Sequence, residues 1–157
     1  MKKTVTVIAL LLAALMLCGC SSEPKQYSYK GINITLPGNF KEDTAEGYDY
    51  CLSQNDCIVL FLIESAEALG VDESLNAHGY AEMVLVSNDL DTTLTDAGDH
   101  TYFEFTRTVE GDNISYLACC YRNGASFWLL QFACPESKYS DMRSDMLSWA
   151  DSVTFNG

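Results

Sequence analysis

Two stretches of this 157-residue chain, CIVLFLI at 57–63 and FWLLQFA at 127–133, are apolar at almost every position. Both are far too short to span a bilayer, and runs of this length rich in branched and aromatic residues read as strands. A strand with no polar alternation has no side that belongs in water. Both of its faces must be covered, which excludes a one-sided sheet and asks for layers above and below it. The second run is fixed further by Asn123-Gly124, which predicts a two-residue type I′ hairpin turn. That turn sets Cys120 opposite Phe127 and Cys119 opposite Trp128. Trp128, Leu130 and Phe132 then share one face, while Phe127, Leu129 and Ala133 share the other.

The remaining elements follow from the same periodicities. Tyr29, Ile32, Ile34 and Leu36 predict a first strand, closed by the turn cluster Pro37-Gly38-Asn39. Residues 48–52 and 57–63 flank Ser-Gln-Asn-Asp and read as a hairpin. Asp72 caps a predicted helix over 73–86, with Leu75, Gly79, Met83 and Val86 in one stripe and a stop at 88–91. A weak strand at 92–97, a long one at 100–109 and its partner at 114–122 lead into the apolar hairpin. A last helix over 136–152 carries Tyr139, Met142, Met146, Trp149 and Val153 in one stripe. The fold class is therefore α/β (α+β): an antiparallel sheet with helices on both faces.

Ahead of this body, Met1-Lys2-Lys3 is a basic start and residues 5–17 are apolar apart from Thr6. The segment closes in Leu17-Cys18-Gly19-Cys20-Ser21-Ser22. This resembles the lipobox of bacterial lipoproteins, with Cys18 where Ala or Ser is commoner. The resemblance implies a signal peptide over 1–19, cleavage before Cys20, and a diacylglyceryl group (palmitate-type acylation) on the Cys20 thiol. Residues 20–28 then read as a lipidated tether and 29–157 as a single domain. Two acyl chains satisfy the two-signal requirement for stable anchoring. The expected location is the extracytoplasmic face of the bacterial cell membrane, in the cell envelope.

Charge narrows the partners. The chain has 9 Lys+Arg against 22 Asp+Glu, net −13, and removal of residues 1–19 leaves seven bases and a net −15. Seven bases cannot form a phosphate-tracking surface, so nucleic acid is excluded as a partner. Anionic headgroups repel such a body, which hangs from its anchor rather than lying on the membrane. With 48% hydrophobic residues the chain is too apolar for an acidic disordered tail.

The opening GINITLPGNF, the mid-chain helix after Asp72, the hairpins ending in FWLLQFACPES and the closing helix before Ser152-Val153-Thr154-Phe155 together resemble the Mog1/PsbP-like α/β/α sandwich. That fold recurs in small bacterial lipoproteins. It also houses a nuclear-transport factor and a photosystem extrinsic subunit. The resemblance covers about residues 28–157 and implies a non-catalytic binding or assembly module, engaging an envelope protein or wall component. It transfers no functional residue to a numbered position.

Sites legible from residue types are few. The sequence lacks His pairs at metal spacing, Cys-x-x-Cys, P-loop, GxGxxG and Gly-x-Ser-x-Gly patterns, so neither metal nor cofactor is expected. The competing class is a cell-envelope enzyme, hydrolase or thiol-redox, whose residues are dispersed along the chain. Asp89, Asp91, Asp96 and Asp99 crowd together, but not at EF-hand spacing, and read as a solvated acidic loop with weak Ca2+ binding as the alternative. Of five cysteines beyond Cys20, Cys51 and Cys57 face each other if their hairpin loop has three residues, and form the expected disulfide; a two-residue turn would separate them. Cys119, Cys120 and Cys134 read as buried small hydrophobes. Among nine Tyr, Tyr48 and Tyr50 beside Glu46 and Asp49 are the expected exposed ligand contacts.

Overall fold

The computed structural model describes residues 22–156. Residues 1–21, with the predicted signal segment and the lipidation site Cys20, lie outside the described residues.

Seven antiparallel strands form the main sheet. In spatial order they are β3 (Lys41–Asp43), β4 (Tyr50–Gln54), β5 (Cys57–Ser65), β9 (Ser126–Pro135), β8 (Asp112–Asn123), β7 (His100–Val109) and β6 (Thr95–Ala97). The two doubly apolar runs lie side by side at its centre as β5 and β9. The inner face meets α3 (Glu136–Asp151) and a small sheet ordered β1 (Pro24–Tyr29), β2 (Ile32–Pro37), β10 (Thr154–Phe155). The outer face meets α1 (Ala66–Leu69) and α2 (Ala77–Ser87). Two apolar cores result. Leu52, Phe61, Leu117, Trp128, Leu130, Phe132 and Met146 build the inner one, and Tyr80, Phe103, Phe127 and Leu129 the outer.

The predicted hairpin between β8 and β9 forms, but its turn is Gly124-Ala125 rather than Asn123-Gly124. Asn123 pairs with Ser126, so Cys120 faces Leu129 and Cys119 faces Leu130. Gly124 alone takes a positive φ, 60°, at the first central position, the pattern of a type II′ turn. The register moves by two residues and therefore leaves every side chain on its predicted face. Trp128 is buried on the inner face, 4% exposed, with the Phe155 ring 5.8 Å away.

Three other expectations are corrected. Residues 24–28, assigned to the tether, form β1, which pairs along its whole length with β2 through the two-residue turn Lys30-Gly31. Both turn residues have positive φ, 44° and 92°, as a type I′ hairpin requires. The mid-chain helix begins at Asn76, whose side chain accepts a hydrogen bond from the Gly79 N–H at 2.9 Å. Asp72 instead holds a turn, accepting from Ser74 N–H at 2.7 Å. The helix buries Tyr80, Ala81 and Val84, while Val86 is 81% exposed, so the predicted stripe is rotated off the true one. Finally, α1 and β10 are added; Ser65 caps α1 and Gly70, at φ 65°, ends it.

Candidate functional site

The helices on the outer face stop halfway along the sheet. They lie over Leu62, Phe103, Ala118, Cys120, Phe127 and Leu129. The strand register carries the same face onward through Phe105, Ile114, Tyr116, Leu60, Ile58 and Ala133, with no helix of the described residues above it. Ile58 and Val109 are 41% and 44% exposed there, unusual for large apolar residues in a sheet this well packed. Ile58, Leu60, Val109, Ile114, Tyr116 and Ala133 line a concavity of about 340 Å³.

Aromatic rings organise this surface. Phe105 stacks on Tyr116 with centroids 4.7 Å apart and planes within 4°. Phe103 continues the row beneath the helix at 5.9 Å. Arg107 lies over the Phe105 ring at 5.5 Å and donates to the Asn88 carbonyl at 2.8 Å, holding the end of α2. The Tyr48 hydroxyl donates to Gln131 Oε1 at 3.0 Å and closes the opposite edge. Burial raises the Tyr48 phenol, reinforced by the neighbouring Tyr116, and burial also raises Tyr116, so both stay neutral hydrogen-bonding groups. The turns at Asp56 and Glu110-Gly111-Asp112, with Glu136 at the head of α3, give the patch acidic ends.

The predicted pair Tyr48 and Tyr50 is split between faces. Tyr50 lies opposite Phe61, inside, stacked on Tyr29 at 4.5 Å and donating to Glu42 at 3.0 Å. Burial first, then that carboxylate, pushes its phenol up to about 12. Tyr48 alone borders the open patch. Phe105, Tyr116, Ile58 and Arg107 were not marked by sequence, because they come from three strands.

The cysteines carry a further correction. The hairpin between β4 and β5 has a two-residue turn, so Cys51 lies opposite Leu60 and Cys57 opposite Gln54. Cys51 and Cys57 thus point to opposite faces, and both are free. Cys119 belongs to the inner core and Cys120 to the outer one. All five thiols are buried, and burial is the leading cause that raises each of them.

A polar cleft of about 430 Å³ lies at the other end of the molecule, lined by His78, Asp96, Asp99, His100, Thr101 and Arg122. His78 Nδ1 shares a hydrogen bond with Asp96 Oδ1 at 2.8 Å, and Thr101 Oγ1 donates to the same oxygen at 2.7 Å. This is the orienting half of a catalytic triad without its other half. The far ring nitrogen of His78 faces Glu82 at 3.8 Å, not a hydroxyl or thiol. The hydrogen bond to Asp96 raises the imidazole above its ordinary 6.5, opposed by desolvation, with both carboxylates adding to the rise. Asp96 is occupied by these bonds. Among the described residues no group of three or more His, Cys, Asp or Glu is placed to hold a metal ion. Nor is any described helix long and apolar enough to cross a membrane.

The chain matches no protein-family model and no curated protein. In fold it is similar to cyanobacterial PsbP (CyanoP) from Synechocystis sp. PCC 6803, at 15% identity and a TM-score of 0.56, covering 88% of this chain and 95% of that one. It is similar to the Ran-binding protein Mog1p of Saccharomyces cerevisiae, at 8% identity and a TM-score of 0.57, covering 86% and 96%. A protein of Bacteroides thetaiotaomicron aligns at 10% identity and a TM-score of 0.58 over 87% of this chain, which spans 49% of that protein's length. At such identities the likeness concerns the fold alone, and the chain has the PsbP/Mog1-like α+β sandwich.

Proposed function

We propose that this chain is an extracytoplasmic lipoprotein, anchored through diacylglyceryl-Cys20, that acts as a non-catalytic docking module for an envelope protein or wall component. The observation that carries the reading is the helix-free half of the outer sheet face, where Ile58 and Val109 remain over 40% exposed around a stacked aromatic pair. Shape and chemistry suit apolar anchors of a partner, with Arg107, Tyr48 and Gln131 as polar orienting groups at the rim. In the polar cleft the far ring nitrogen of His78 meets the Glu82 carboxylate, and among the described residues no hydroxyl or thiol is hydrogen-bonded to it. The lipobox supports the anchor, and Mog1p, similar in fold, is described as a Ran-binding protein.

The test is photo-crosslinking of the lipoprotein in its native membrane, comparing the parent with Ile58→Lys. Val86→Lys, on an exposed apolar residue of α2 that does not line the concavity, is the control. Adducts lost in Ile58→Lys and kept in Val86→Lys support the docking surface. An adduct pattern unchanged by Ile58→Lys removes it.

A further inference from the structure

Cys57 is the first residue of β5 and Cys134 is the penultimate residue of β9. The two strands are antiparallel and neighbours, and their register runs through Val59–Phe132 and Ile58–Ala133. One further step along that register brings Cys57 opposite Cys134. Both side chains belong to the inner core, so they share one face as well as one rung. Residues directly opposite in an antiparallel pair have Cα atoms about 4.5–5.5 Å apart. That range falls inside the window of roughly 4.4–6.8 Å that a disulfide spans without backbone movement. The charge interactions agree with the placement. Burial and then the Cys134 thiol push the Cys57 thiol up to about 12, and Asp56, at the tip of the preceding turn, acts on Cys134 after burial.

We infer that Cys57 and Cys134 are a cross-strand thiol pair that closes to a disulfide in the presence of a small-molecule disulfide donor. The sequence offered Cys51 as the partner of Cys57; the fold supplies Cys134. The step is an exchange. One thiol, deprotonated as the hairpin tip at Asn55-Asp56 opens, attacks the donor disulfide and releases one donor thiolate. The second cysteine then attacks the mixed disulfide, forms the Cys57–Cys134 bond and expels the second thiolate. Two cysteine thiols are oxidised, one donor disulfide is reduced, and the two protons lost by the cysteines pass through solvent to the released donor thiolates, which become thiols. Opening of the tip is required because burial otherwise keeps both sulfurs protonated and hidden.

The bond would sit directly under the docking patch. Ile58 and Ala133, the adjacent rung, point to the outer face and line its concavity. Closing the pair would pin the β4–β5 hairpin tip to the junction of β9 and α3, where two sides of that concavity meet. Because the bridge would join residues far apart in sequence, it would constrain much of the unfolded chain, raising the melting temperature on the order of 10 °C.

The experiment treats the full chain with excess oxidised glutathione at mildly alkaline pH, blocks remaining thiols by alkylation, and maps the peptides without reduction. The expected result is a linked peptide pair carrying Cys57 and Cys134 and a melting temperature that rises and returns on reduction. The bridge should persist in Cys51→Ser and vanish in Cys57→Ser and Cys134→Ser. Three results overturn the inference: Cys57 and Cys134 both recovered as free thiols, both recovered only as glutathione adducts, or Cys57 linked to another cysteine. The mapping of the parent chain decides the question even if a serine variant fails to fold.

Discussion

Trp128 gives the sharpest test of how this sheet is held together. The indole leaves the central strand β9 toward the inner face and is 4% exposed. It faces Tyr121 across the β8–β9 ladder and meets Phe155 of β10 at 5.8 Å, so it links the main sheet to the small one. Trp128→Ala removes the largest side chain on that face. Truncating a buried Trp costs about 3–5 kcal/mol, from lost transfer energy and from the cavity left behind. The cavity term is large here because the walls are strands fixed by ladder hydrogen bonds and cannot close over it. Unfolding entropy of about 2.1 cal/mol/K per residue, over a folded body of roughly 135 residues, converts this to a fall of about 10–18 °C in Tm. Thermal unfolding followed by near-ultraviolet circular dichroism measures it. A variant melting within about 3 °C of the parent would mean that the indole is not a packing element, and the inner core as described would be wrong.

Cys20→Ser should abolish incorporation of labelled fatty acid and leave precursor or shed protein; continued labelling on the membrane would refute the lipobox assignment. Glu104 accepts two hydrogen bonds from Arg143, at 2.9 and 2.6 Å, and one from Tyr139. The Arg143 hydrogen bond leads the causes that hold its carboxyl below the ordinary 4.5. Stability from this group is therefore complete above pH 4.5 and lost as pH falls through the lower folded value, so Arg143→Met should move the acid-unfolding midpoint upward. An unchanged midpoint would show that the network contributes nothing. His100 is buried, its Nε2 has no hydrogen-bond partner among the described residues, and burial lowers its pKa from 6.5. Its neutral form stabilises fully above pH 6.5, and that contribution declines below it toward the folded value. His100→Phe, which can keep the stack on Tyr121 at 4.9 Å, should flatten the decline in calorimetric Tm between pH 6.5 and 5. A steeper decline would contradict this.

What the sequence made legible was set by period, and what it hid was set by assembly. The apolar runs at 57–63 and 127–133 demanded two covered faces, and the period of two kept Trp128 and Leu129 on opposite sides even though the turn slipped by two residues. Helical period was less forgiving. With apolar residues at 80, 81, 83, 84, 85 and 86, several stripes were open, and only packing selects Tyr80, Ala81 and Val84. PKQYSY carries three exposed polar residues out of six and no apolar alternation beyond its tyrosines, so β1 passed for a tether. The open apolar patch had no local signature at all. Phe105, Tyr116 and Ile58 come from β7, β8 and β5 and meet only through the ladder register.

Helix length explains why that patch is open. The inner face is covered by α3, 16 residues and about 24 Å long, together with the three-stranded sheet. Among the described residues the outer face has only α2, 11 residues and about 16 Å, and the single turn of α1. Against them stand β8 and β9, of 12 and 10 residues, which extend roughly 35–40 Å at 3.3–3.4 Å per residue. Two more turns of α2 could have reached Phe105 and Tyr116. Instead the chain leaves the helix at Asn88 and turns through Asp89 at φ 55°, and Arg107 ties the Asn88 carbonyl to the strand at 2.8 Å. The same guanidinium lies over Phe105, the first ring beyond the helix. One side chain thus fixes where cover ends and borders the surface left uncovered. An apolar edge with a fixed border is what a docking surface requires, since a rim already held by specific contacts loses less conformational freedom when a partner binds.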